Sequence, residues 1–517
     1  ERSLLLCRDR LGIKPLFYSE IEGRLVFASE FKPLLVHPWI STEPDPVGIN
    51  AYLSNYQITF NGLTLFKDIR SLEAGHYLIH DSSGSRLHRW WELPLISSSR
   101  KAVEWPVERL DEAARELSDR MGEAVRSHLV ADVPVGAFLS GGIDSSVVIS
   151  LMSGLSGEKI SAYSIGFEDA GFNEFKYSVP LVNELGLRHR LFELGHADYF
   201  PRMEALISQR MVPLSTPNEV PIRVLSEHLA KDIKVVLSGE GADELLGGYA
   251  PLLRSPHDYL AWKTLRENPG KLPAGVRRAI RAGIRRQYGR NGFNSLLDHF
   301  MITYAWLTER DRSGILSGEF FSPQIEEQIR EVWRDRFDRI EELSPYDRYI
   351  YILETVHLQG LLMRLDADTM AASVEGRVPY CDNRLVDFVW SLPFDYKLRW
   401  KSAEHRRMSL GLNSLEIAEK LDTSKFLLKR AYRKRLPKKI IDREKQAFPV
   451  PLEALLKPEY VDEIMDRVTG NPELKQYLNT RNLRGWIAET LNTGFGAMKV
   501  WMLINLVIWL EKIEEGI

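Results

Sequence analysis

At 517 residues and 44% hydrophobic content, the chain is long enough to bury a large core and to divide into two or more domains. Its 68 basic and 71 acidic residues leave a formal charge of −3, which excludes a global polyelectrolyte attraction to nucleic acid or membrane. Two cysteines, Cys7 and Cys381, form no CxxC pair and no disulfide framework, so a reducing, cytoplasmic compartment is expected.

Residues 1–95 alternate short apolar runs with turns, as in "LFYSEIEGRLVFAS" and "GHYLIHDSSGSRLHRWWEL", where "EG" and "SGS" mark hairpin loops. This region is expected to be sheet-rich, and Cys7 to be a small buried hydrophobe within one of its strands. The polar stretch 96–106 is the expected linker. From Val107 the period changes: Leu110, Ala113, Ala114, Leu117, Met121, Ala124 and Val125 fall on one helical face. Strand-like runs then alternate with helices. "VPVGAFLS", "ISAYSIGF", "HRLFEL" and "KVVLS" are strands, separated by helices from Ser145 and near 174–185, 199–208 and 220–231. That alternation predicts a parallel α/β sheet covered on both faces. Residues 250–517 read as mostly helical, and "VWMLINLVIWL" is too short for a membrane span and is expected as a buried helix. The N-terminus has no secretory pattern, and the start at Glu1-Arg2-Ser3 without Met suggests that upstream residues are missing.

The turn "SGGIDS" at 140–145 joins a buried strand to a helix, at the carboxyl end of a sheet strand where open α/β sheets bind ligands. Gly141 and Gly142 let backbone N–H groups approach an anion, and the helix start adds donors and a favourable dipole. A carboxylate at Asp144 is repulsive toward phosphate unless a cation such as Mg²⁺ lies between them. An ordinary capped turn, with Asp144 or Ser145 as N-cap, is the plain alternative. A second turn, "LSGEGADELLGGY" at 237–249, repeats the construction with Ser238, Gly239 and the carboxylates Glu240, Asp243 and Glu244. Two such strand ends place Asp144 and Asp243 within reach of one metal ion.

The first turn resembles the pyrophosphate-binding loop of the N-type ATP pyrophosphatases, and with the second turn the chain resembles the glutamine-dependent asparagine synthetases. "MAASVEGRVPYCD" at 370–382 and "IIDREKQAFPVPL" at 440–452 are similar to further segments of that family. "RDRLGIKPLFY" at 8–18 and "LVFASEFKPLL" at 25–35 resemble the far end of a class II glutamine amidotransferase domain. The resemblance implies an α/β protein. Residues 1–95 are then a β-rich remnant of an N-terminal-nucleophile glutaminase, and 107–517 a parallel-sheet ATP-pyrophosphatase domain with a helical C-terminal extension.

It also implies ATP and Mg²⁺ as cofactors, small-molecule partners without nucleic acid or membrane, and a homodimer. ATP and pyrophosphate would be held by Leu139, Ser140, Gly141, Gly142, Asp144, Ser145, Ile165, Gly166, Ser238 and Gly239, with the metal on Asp144 and Asp243. Lys445 is the implied catalytic lysine, in a segment of ten Lys/Arg otherwise read as a solvated helix face. Glu240 would take the proton from the ammonia adduct or hold Lys445, and Glu375 and Arg377 would line the acceptor site or ammonia path. Related β-lactam synthetases carry a tyrosine where Glu240 stands, so glutamate favours the asparagine-forming branch. The family's glutaminase cysteine lies upstream of every residue in this sequence, so the sequence as it stands is not expected to hydrolyse glutamine. The expected reaction is amidation of L-aspartate through an acyl-adenylate. Amidation of another carboxylate, a tRNA-modifying pyrophosphatase using the basic 425–445 segment, and a nucleotide-binding scaffold without turnover are the alternatives. No HExxH, GxSxG or Walker A pattern supports zinc, serine-hydrolase or P-loop chemistry.

Overall fold

The computed structural model describes residues 3–156, 160–444 and 449–516. At its centre lies a five-stranded, wholly parallel sheet in the order Arg188–Leu194, Ser161–Phe167, Val135–Phe138, Val235–Leu237, Glu375–Arg377. The chain lays down Val135–Phe138 first, builds outward through the next two strands, and then returns to add the last two on the other side. The reversal falls between Val135–Phe138 and Val235–Leu237, which run in register from Val135 opposite Val235 to Ala137 opposite Leu237. A doubly wound sheet opens its ligand crevice at this point, outside the carboxyl ends of the two strands.

The helices follow the apolar periodicity. Helix Leu110–His128 buries the seven residues of its expected stripe. Helix Ile143–Leu155 starts two residues before the expected Ser145, because Gly142 takes the extended N-cap position. Asp144 and Ser145 therefore lie in the first turn, and neither is the cap. Pro180 and Pro201 are each the sixth residue of helices Phe175–Leu185 and His196–Arg210, just past the unpartnered amides of the first turn, so each forfeits one i→i−4 hydrogen bond near the helix start.

The N-terminal region is antiparallel. Phe17–Ile21 pairs with Arg24–Ala28 through Glu22 and Gly23, both at positive φ (51° and 73°), the backbone of a tight primed hairpin turn. His76–Asp81 pairs with Gly84–Arg89 and with Leu4–Cys7. In Leu4–Cys7 only Leu6 faces inward, so Cys7 is exposed, contrary to the expectation of burial, while Cys381 is buried.

The stretch 96–106 contains helix Ser98–Glu104, and the buried ammonium of Lys101 lies 3.1 Å from Asp347 Oδ1. The N-terminal region also shares its main core with the rest of the chain. Ile49, Tyr52, Leu53 and Phe66 belong to one buried cluster with Trp501, Leu506 and Trp509 of helix Gly496–Glu514. That helix is apolar on all sides, which is the composition of a fully surrounded helix. Among the described residues no helix is long and apolar enough to cross a membrane.

Candidate active site

The two glycine turns leave the sheet side by side and touch. A Cβ on Gly239 would lie 2.9 Å from Ser145 N and 3.0 Å from Asp144 Cβ, so only glycine permits this approach. Gly141, at φ +79°, packs against Tyr177 of the next helix, where a Cβ would come within 2.7 Å of the tyrosine Cβ. The first turn is tied to itself: Ser140 N donates to Ser145 Oγ at 3.2 Å, and Gly142 N donates to Ser140 Oγ at 3.2 Å. No side chain caps helix Ile143–Leu155, so its first-turn amides are left for a ligand. On the sheet side, Leu139 N donates to Tyr163 O and Ser164 Oγ donates to Leu139 O.

Among the described residues, Asp144 and Asp243 converge on one cation, Lys425. Lys425 Nζ lies 2.5 Å from Asp144 Oδ2 and 2.6 Å from Asp243 Oδ1, with the lysine side chain 3% exposed and each aspartate 16% exposed. Lys425 adopts left-handed backbone geometry at φ 49°, a strained choice for a residue with a side chain, immediately before helix Phe426–Tyr432. Gly248 makes room for this trio, since a Cβ there would fall 1.6 Å from Asp243 Oδ1 and 2.6 Å from Lys425 Cε. The double glycine that ends the second motif thus has a packing role beside the acidic pair.

Glu240 is held from the other side. Arg364, buried in helix Leu358–Met370, donates from Nη2 to Glu240 Oε1 at 2.8 Å. Its Nη1 donates to Thr216 Oγ1 at 2.6 Å and to Asn218 Oδ1 at 2.8 Å. Tyr249 donates to Glu244 Oε1 at 2.6 Å. Burial, with Asp243 and Glu240 nearby, pushes the Glu244 carboxyl up to about 8, so it holds its proton at neutral pH.

These groups line one cavity of about 780 Å³. Leu139, Ser140, Gly142, Asp144, Ser145, Ile165, Ser238, Gly239, Glu240 and Asp243 are on its wall, as are Lys425 and Arg364. Of the remaining expected site residues, Gly141 and Gly166 are packing glycines away from the lining. A Cβ on Gly166 would meet Asn173 Cβ at 2.4 Å. Glu375 and Arg377 also lie off the cavity and pair with each other, Arg377 Nε to Glu375 Oε1 at 2.9 Å. Arg377 Nη1 further donates to the carbonyls of His128 and Val130, at the carboxyl end of helix Leu110–His128, where a cation suits the dipole. Its own carbonyl accepts from Ser238 N at 2.8 Å, so its backbone braces the second turn. Lys445 lies outside the described residues.

Sequence reasoning missed Lys425, Arg364, Thr216, Asn218 and Tyr56. Arg364 had a signal, a lone cation in an apolar helix, which burial makes costly unless it is paired. Lys425 had none, being one cation in a basic run. Tyr56 enters the cavity from the N-terminal region, its hydroxyl 3.2 Å from His357 Nε2.

Glycine turns and facing carboxylates at the switch point of a parallel sheet define a class of enzyme that handles phosphorylated substrates. Sequence comparison narrows the class. The family model described as "Asparagine synthase" matches residues 116–511, and that described as "Glutamine amidotransferase domain" matches residues 1–91. The chain therefore belongs to the asparagine synthase family, whose members are ATP-dependent ligases. Asparagine synthetase (glutamine-hydrolyzing) 1 of Bacillus subtilis is 26% identical over 509 residues, covering 97% of this chain and 74% of its own. A putative asparagine synthetase (glutamine-hydrolyzing) of Mycobacterium bovis is 28% identical over 528 residues, covering 98% and 74%. An amidase of Penicillium rubens is 26% identical over 445 residues, covering 78% and 63%.

Proposed function

We propose that the chain amidates L-aspartate with ammonia, cleaving ATP to AMP and pyrophosphate through an acyl-adenylate. The observation that carries this reading is the convergence of Asp144 and Asp243 on Lys425, in the same cavity that holds Glu240 against Arg364. The acceptor carboxylate attacks the α-phosphorus, the bond to the bridging oxygen breaks, and pyrophosphate leaves with the developing charge. Ser140, Ser145 and the first-turn amides of helix Ile143–Leu155 would bind those phosphate oxygens, and Lys425 would add positive charge beside them. Ammonia then attacks the acyl carbon, AMP departs, and Glu240 accepts the proton shed by the adduct.

Mg²⁺ fits the donor set. Asp144 and Asp243 supply two carboxylates at adjacent strand ends, and Mg²⁺ favours one or two carboxylates plus substrate phosphates over a protein cage. Among the described residues no group of three or more His, Cys, Asp or Glu side chains forms such a cage. Those two aspartates would hold the ion, which would neutralise charge on the leaving pyrophosphate. Lys425 already supplies one positive charge between them.

The test is pyrophosphate release from Mg-ATP with L-aspartate, with ammonium or glutamine as nitrogen donor and the amino-acid product identified. Asparagine and AMP formed with ammonium support the proposal. Pyrophosphate release with a different carboxylate and none with aspartate would overturn the acceptor assignment while leaving ATP-dependent amidation in place.

A further inference from the structure

Helix Ala274–Tyr288 lies off the nucleotide cavity, on a small core of Leu265, Ile280, Ile284 and Phe293. From Ala274 to Arg290 the sequence contains six arginines and no acidic residue. Arg278, Arg281 and Arg285 are all exposed and recur at the spacing that puts them on one stripe of the helix. Arg286 pairs with Glu416 and Arg290 with Asp298, but Arg278 and Arg281 have no side-chain hydrogen bond or ion pair among the described residues.

A loop runs along this helix and adds apolar side chains to the cations. Gly411 packs against Val276 and Ala279, and Gln287 Nε2 donates to Ser414 Oγ at 2.8 Å, which fixes the loop at both ends of the helix. Met408, at the end of the short helix Ala403–Met408, Leu410 on the loop, and Leu415 in the short helix Ser414–Ile417 are 55%, 63% and 52% exposed, and Arg406 and Arg407 are exposed just before them. Unpaired cations interleaved with raised aliphatic side chains form a surface that water solvates poorly and an interface of lipid headgroups matches in both respects. Residues 274–290 and 403–415 contain no exposed aromatic side chain on which a base could stack, which disfavours single-stranded nucleic acid. The formal charge of −3 for the whole chain conceals this local asymmetry.

We propose that this face docks on an anionic membrane surface, the arginines taking lipid phosphates and Met408 and Leu410 entering the acyl boundary. Attraction of this kind weakens with salt and depends on both the charges and the apolar side chains.

The experiment is co-sedimentation of the full chain with phosphatidylcholine vesicles, with and without phosphatidylglycerol, at low and raised salt. Retention on the anionic vesicles alone is expected. Binding should weaken at least about tenfold in a variant combining Arg278→Glu and Arg281→Glu, and also in one combining Met408→Ser and Leu410→Ser. Both variants should keep the wild-type unfolding midpoint, since none of the four residues is buried. Absence of binding to anionic vesicles overturns the proposal. So does charge-reversal insensitivity, or tight binding to RNA that the serine variant leaves unchanged, the latter assigning the patch to nucleic acid.

Discussion

Lys425 and Asp144 are 281 positions apart in the sequence and 2.5 Å apart in the fold, Nζ to Oδ2. The same nitrogen reaches Asp243, so one buried ammonium lies between two carboxylates that would otherwise repel each other across the crevice. Lys425→Met is expected to lower pyrophosphate release by about a hundredfold or more, the scale of losing one preorganised charge from such a site. Asp144→Asn and Asp243→Asn are each expected to abolish Mg²⁺-dependent release. A Lys425→Met enzyme turning over at the wild-type rate would remove this lysine from the proposed pyrophosphate site.

Gly248 tests the same trio from the backbone. Gly248→Ala drives a methyl into Asp243 Oδ1 and toward Lys425 Cε, and both side chains must move. Activity should fall nearly as far as in Asp243→Asn, with ATP binding measured alongside. Gly122 is the matched control: it sits inside helix Leu110–His128, where an added methyl would meet nothing within 4 Å, so Gly122→Ala should stabilise by about 1 kcal/mol and leave turnover unchanged. Thermal unfolding and initial rates on both variants separate packing from chemistry.

Much of this site is legible in the sequence because its parts are local. "FLSGGIDSS" and "VVLSGEGADE" each carry strand, glycine turn and carboxylate in one short run, and the structure brings those runs together because their strands pair. The helical stripe of Leu110–His128 is legible for the same reason. Lys425 is not, and Arg364 is legible only as a cation that needs a partner, because the partners of both lie more than a hundred positions away. Glu375 and Arg377 show the converse: opposite charges two apart in a short strand satisfy each other, and the cavity is elsewhere.

Arg364 should divide the two chemical steps. It touches Glu240 directly and the two glycine turns only through it. Arg364→Met therefore leaves Glu240 without its buried partner, and in the proposed mechanism the ammonia step depends on that carboxylate. We expect ATP–pyrophosphate exchange to fall by no more than about tenfold and amide formation by about a hundredfold. Arg364→Lys should restore part of the amide-forming rate. Equal losses in both steps would instead mark Arg364 as a general support of the cavity.

Acid stability offers a test that needs no substrate. His357 is buried, with Tyr56 Oη 3.2 Å from Nε2 and Tyr304 Oη 2.9 Å from Nδ1. Burial, reinforced by Arg364, lowers its pKa to about 4, so it is neutral in the fold while the unfolded chain protonates it near the usual value of about 6.5. Between these two values the unfolded state binds more protons, so the stability His357 contributes is full above about pH 6.5 and is lost as pH falls toward 4. The amount at stake is about 3 kcal/mol. His299, lowered to about 3 by burial, acts in the same direction. Asp258, raised to about 6 by burial, acts oppositely: its folded form binds the extra proton, and its contribution grows as pH falls through that value. His257, lowered to about 4 by burial, acts the same way as His357, so His357→Gln removes one of several descending contributions, and denaturant unfolding of that variant should show a shallower loss of stability between pH 6.5 and 4. An unchanged slope would mean that His357 titrates in the fold much as it does in the unfolded chain, and that the Tyr56–His357–Tyr304 contact does not hold the imidazole neutral.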